Sequence, residues 1–142
     1  MNPDRLRVVI DTGVLVSGLL QAESVPAQAF RLSAHAATLL VSEETINEAF
    51  IVLHKPKFKP YLDSSDIESF MKAYANMSEL VHLPVMLKAC RDPDDDKFLA
   101  LAVSGAADMI ITGDQDLLIL NPFQDISILT PRKFLDFMKK QD

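Results

Sequence analysis

The run Val8-Val9-Ile10-Asp11-Thr12-Gly13-Val14-Leu15, VVIDTGVL, carries three apolar residues straight into an acid, a hydroxyl and a glycine. Asp-Thr-Gly is the signature of the aspartic proteases, in which two such aspartates share a proton. It is also what a metal-binding aspartate at the end of a buried strand looks like. The triplet alone does not choose between them; the chain around it does.

Outward from Asp11, the pattern predicts strands over residues 7–10, 38–41, 80–83, 109–112 and 126–129. All are short and mostly apolar, the third ended by Pro84. Between them lie helical patterns over residues 14–21, 25–36, 43–54, 65–77 and from Pro93 to Ser104, with a last helix over 132–140. Ser42 is placed to cap the third helix with Glu43 and Glu44 in its first turn, and Ser65 to Glu68 reads as a capping box. Asp92 with Pro93 reads as a helix start, Gly105 as a stop, and Thr130-Pro131 as the cap of the last helix. Apolar strands alternating with helices indicate an α/β domain with a parallel sheet covered on both faces. Aspartic proteases are nearly all β, so the protease reading fails. In an open parallel sheet, sites lie beyond the carboxyl ends of the strands, at a topological switch point.

That rule selects four acids. Asp11 ends the first strand, and Glu48 lies in the second turn of the helix after the second strand. Asp96 lies early in the helix that leads into the fourth strand, and Asp114 follows that strand by two residues. All four are expected at one rim. Ile46, Ala49, Phe50 and Leu53 form the apolar stripe of the Glu48 helix, and Ile51 and Val52 flank Glu48 on the far side, which predicts a walled setting for it. Convergent carboxylates repel or take up protons. A hard divalent cation such as Mg²⁺ or Mn²⁺ relieves that conflict with oxygen ligands.

The composition sets bounds on this reading. The chain has 142 residues, 49% of them hydrophobic, 24% charged, with a net charge of −6 and one cysteine, Cys90. These values fit one soluble domain, 1–142, in a reducing cytoplasm, with no membrane span. The net charge argues against binding nucleic acid by bulk electrostatics alone. Lys55, Lys57 and Lys59 form a local basic run that is either a solvated face or a contact for RNA phosphates. His35, His54 and His82 are scattered and offer no ligand set.

VVIDTGVLVSGLL (8–20), SEETINEAFIVLHKPKF (42–58), CRDPDDDKFLALAVSGAADMIITGDQDLL (90–118) and ILTPRKFL (128–135) occur here in the order seen in PIN-domain proteins. The chain resembles the branch of that family that supplies toxins of toxin–antitoxin pairs. The resemblance implies a five-stranded parallel sheet of order 3-2-1-4-5 between helices, and a metal-dependent endoribonuclease. It implies cleavage of RNA phosphodiesters by metal-activated water, leaving a 5′-phosphate and a 3′-hydroxyl. Asp11, Glu48 and Asp96 match the first three acids, and Asp114 the fourth, with Asp116 as an alternative. Thr12 matches a residue that supports the first aspartate, and Asp92 and Asp95 match acids frequent in this branch. Gly13 departs from the pattern, which usually has Asn there. Mg²⁺ or Mn²⁺, an RNA substrate, a cognate antitoxin protein and a homodimer follow from the resemblance. The competing expectations are a PIN-fold interaction or RNA-binding module with little or no nuclease activity, and a housekeeping RNA-processing nuclease.

Overall fold

The computed structural model describes residues 5–83 and 96–141. Five parallel strands run in the order β3-β2-β1-β4-β5: β1 (Leu6–Ile10), β2 (Ala37–Val41), β3 (Glu79–Leu80), β4 (Met109–Ile111) and β5 (Ser127–Leu129). The helices are α1 (Thr12–Leu20), α2 (Val25–Ala36), α3 (Glu43–Leu53), α4 (Ser64–Met77), α5 (Asp96–Ser104), α6 (Gln115–Leu118) and α7 (Pro131–Lys139). A 3-10 turn at Pro56–Phe58 follows α3.

The alternation of side chains along each strand divides the core in two. Val8, Ile10, Leu39, Val41, Met109 and Ile111 face one layer, with buried residues of α1 to α4 and α7. Val9, Leu40 and Ile110 face the other, with Phe98, Leu99 and Leu101 of α5 and Leu117 of α6. Both faces are apolar because both are covered, which is why these strands read as continuous hydrophobic runs. The central position of β1 between β2 and β4 places its last residue, followed by Asp11, at the switch of strand order.

Several expected boundaries shift for identifiable reasons. α1 begins at Thr12 rather than residue 14, because the Asp11 side chain itself accepts the Gly13 N–H and caps the helix. Asp63, not Ser65, caps α4, accepting from the Asp66 N–H at 2.8 Å, so no capping box forms at Ser65. The third strand is Glu79–Leu80 instead of residues 80–83. Arg7 fixes its start by holding both Glu79 carboxylate oxygens, at 2.7 and 3.1 Å, while donating from Nε to the Gly105 carbonyl. α6 was not expected, since four residues carry no helical periodicity. α5 ends at Ser104 as expected, but the left-handed residue after it is Ala106, with φ 52°. Gly105 is needed for space: a Cβ there would lie 2.9 Å from Leu40 Cδ1. The predicted Asp92-Pro93 helix start lies outside the described residues.

Candidate active site

Asp11, Thr12, Gly13, Glu48, Gly113 and Asp114 line an open cleft of about 590 Å³ beyond the carboxyl ends of β1 and β4, walled by Val14, Ser17, Pro26, Val52 and Pro131. Each acid reaches it by local rules. Asp11 follows β1, and its N–H continues the sheet ladder to the Ile111 carbonyl at 3.0 Å. Glu48 projects from the middle of α3, whose start is fixed by a reciprocal capping box between Ser42 and Thr45. Asp114 caps α6, accepting from the Asp116 N–H at 2.9 Å.

Asp11 is the buried member, only 9% exposed. Thr112 donates its hydroxyl to Asp11 Oδ2 in a very short contact, and the Gly13 N–H donates to Oδ1 at 3.0 Å. Thr112 Oγ1 in turn accepts the Asp114 N–H at 3.0 Å, so one fully buried hydroxyl ties both aspartate positions together. Burial pushes the Asp11 carboxyl above the ordinary carboxylate range. The Thr112 and Gly13 bonds oppose that shift, and the charges of Asp114 and Glu48 add to it.

Glu48 is held from two sides. Thr12 donates its hydroxyl to Oε2 at 2.6 Å, and the Lys97 ammonium meets Oε1 at 2.7 Å. The helix face differs from the expected one. Ala49 and Leu53 are buried, but Phe50 is exposed with its ring tilted against that of His54, and Ile51 is 64% exposed. The walls beside Glu48 are therefore Val52, Thr12 and Lys97, and Ile51 takes no part.

The remaining candidates are placed as follows. Thr12 supports Glu48, and the hydroxyl that supports the first aspartate is that of Thr112. Asp96 opens α5 next to Lys97 and is absent from the cleft lining, so three of the four expected acids share the cleft. Asp116 gives its backbone N–H to Asp114, and its side chain does not line the cleft. Asp92 and Asp95 lie outside the described residues. Lys55, Lys57 and Lys59 are exposed beyond the end of α3, Lys57 lying over the Phe58 ring. Thr112 and Lys97 went unread in the sequence. The register Ile10↔Ile111, which sets Asp11 beside Thr112, becomes visible only once β1 and β4 are paired.

The donor set suits a hard cation: three carboxylates with the hydroxyls of Thr12, Ser17 and Thr112, all oxygen, against one ammonium. Among the described residues no three acidic, histidine or cysteine side chains form a ready-made cage. Among the same residues no helix is long and apolar enough to cross a membrane.

A parallel sheet of order 3-2-1-4-5 with an acidic cleft at its switch point defines an open α/β domain whose candidate site lies beyond the carboxyl ends of the strands. Within that class the chain belongs to the PIN domain family, whose model matches residues 7–116. It is similar to the Uncharacterized protein MJ1680 of Methanocaldococcus jannaschii, 29% identical over 150 residues that span 99% of this chain and 96% of that protein. Its fold is similar to that of VapBC2 from Rickettsia felis, crystallised bound to a DNA fragment from their promoter. There the TM-score is 0.59 at 11% identity, over 87% of this chain and 98% of that one. It is also similar to that of PAE2754 from Pyrobaculum aerophilum, with TM-score 0.61 at 14% identity, over 94% and 90% of the two chains.

Proposed function

We propose that this protein is a metal-dependent endoribonuclease and the toxin of a toxin–antitoxin module, with Asp11, Glu48, Asp96 and Asp114 as its acidic centre. The observation that carries the reading is Asp11: a buried carboxylate at the floor of an open cleft, crowded by two other acids. A structural aspartate gains nothing from that crowding, whereas a cation ligand does. Asp11, Glu48 and Asp114 would hold the Mg²⁺ or Mn²⁺, and Asp96 would join them from the start of α5. A bound cation would supply Lewis-acid chemistry there, polarising a phosphodiester and making water more acidic.

The protein's own groups do the positioning. Thr112 holds Asp11 and the Asp114 backbone in one register, and Thr12 fixes Glu48. The cleft is open to solvent, and hydrolysis there would leave a 5′-phosphate and a 3′-hydroxyl. Membership of the PIN family supports this reading, and so does the fold shared with VapBC2, which supports an antitoxin protein as partner. A homodimer is part of the same proposal. The test is purified protein against an RNA panel with Mg²⁺, Mn²⁺ or chelator, beside Mn²⁺ calorimetry of Asp11→Asn and Asp96→Asn. Cleavage that requires metal, and weaker Mn²⁺ binding in both variants with unchanged circular dichroism, are expected. Unaltered binding in both would remove the site.

A further inference from the structure

Glu48 is the cleft acid with a cationic partner. Its carboxylate comes from α3, yet its two oxygens are held by donors from two other helices: Lys97 of α5 at Oε1 and Thr12 of α1 at Oε2. Lys97 is 25% exposed and Glu48 20%, so this is no solvated surface pair. Ordering and half-burying a long lysine side chain costs conformational entropy, and an exposed pair would return little for it. Here the pair is largely shielded from solvent, and Glu48 is held at both oxygens. Glu48 shares its cleft with Asp11 and Asp114, and among the described residues Lys97 is the cation paired with Glu48.

A lysine ammonium and a divalent cation seek the same lone pairs. Lysine is a compact point charge on a flexible stem. It can leave Glu48 Oε1 without moving the backbone of α5. We propose that Lys97 is the resident counter-cation of the metal-free cleft: it holds Glu48 in place and gives up Oε1 when a divalent cation enters. Cation affinity is thereby set below what the carboxylates alone would give. Lys97 is a positioning residue in this scheme, acting through Glu48. The inference rests on the metal-dependent reading of the cleft.

The experiment is calorimetric titration of the full chain with Mn²⁺ alone, without RNA. Wild type is compared with Lys97→Met, Lys97→Arg, Glu48→Gln and the Glu48→Gln/Lys97→Met double variant. Lys97→Met should bind Mn²⁺ at least about fivefold tighter, because a like charge has left the site, and Lys97→Arg should stay within about twofold of wild type. In the Glu48→Gln background the gain from Lys97→Met should fall to less than about half, as expected of residues that act through each other. Lys97→Gln, which keeps a polar tip, gives a second reading of the same direction should Lys97→Met fail to fold by circular dichroism. Equal or weaker binding in a folded Lys97→Met or Lys97→Gln variant overturns the inference. So does a gain of the same size when Glu48 is already Gln. If wild type binds Mn²⁺ and the lysine variants do not differ, only this inference falls. If wild type binds no Mn²⁺, the metal reading falls and takes it along.

Discussion

Replacing Gly13 with Asn, the residue usual in the family, should make the protein slightly more stable and a faster nuclease. Gly13 is the second residue of α1, its φ is not in the left-handed region, and its N–H bond to Asp11 survives any substitution but proline. A Cβ added there would meet only Asp11 Oδ1, at 3.9 Å, an ordinary contact. No packing cost therefore opposes the removal of a glycine from a helix. On helix propensity Ala gains about 0.5–1 kcal/mol over Gly and Asn about 0.3 kcal/mol. For a domain of this size about 1 kcal/mol moves Tm by roughly 2–4 °C. Gly13→Ala should thus rise by about 2–3 °C and Gly13→Asn by about 1 °C, by calorimetry in chelator. The Asn amide adds an N–H within reach of Asp11 Oδ1. One added hydrogen bond to the Asp11 carboxylate is worth about 1 kcal/mol, or about fivefold in kcat/KM. Cleavage of a labelled RNA with Mn²⁺ should therefore run several-fold faster in Gly13→Asn than in Gly13→Ala, which isolates the amide from the backbone effect. Both variants melting below wild type would refute the open space at position 13. An Asn variant slower than the Ala variant would refute the bond to Asp11.

Glu79→Gln should cost about 1 kcal/mol near neutral pH, since the paired carboxylate is about a third exposed and solvent weakens the pair. The bond to Arg7 lowers the Glu79 carboxyl from its ordinary 4.5, so its stabilisation is present above that pH and lost as pH falls through the lower folded value. Urea melts should show wild type and variant converging below pH 4.5, and a constant gap would refute the assignment. If Lys55, Lys57 and Lys59 grip RNA, changing all three to Ala weakens binding equally for all sequences. The slope of log K against log salt then shrinks by up to about 0.7 per lost contact. Unchanged affinity and slope would return the run to a solvated loop.

The sheet was legible wherever burial on both faces forces an apolar run, as in β1, β2, β4 and most of β5. It was not legible at β3. Two residues make no pattern, and Glu79 is brought into the sheet by Arg7, 72 positions away. The start of α4 was ambiguous because Asp63 and Ser65 are both good caps, and only the observed bond to the Asp66 N–H decides. The acids of the cleft were legible because strand ends and helix starts in a parallel sheet share one edge. Thr112 and Lys97 are residue types that occur everywhere, so their meaning depends on what stands across the gap. The same limit explains Thr12, read as a support for Asp11 and found on Glu48.

Asp11 lies near the start of the chain, and the hydroxyl that holds it is 101 residues later. During synthesis, no shorter nascent chain contains the cleft: β1 stays without its β4 neighbour, and Asp11 without Thr112 and Asp114, until that stretch has left the ribosome. Contacts so distant in sequence form late. The strand order that puts β1 beside β4 delays assembly of the acidic centre until β4 and the residues just after it have been made.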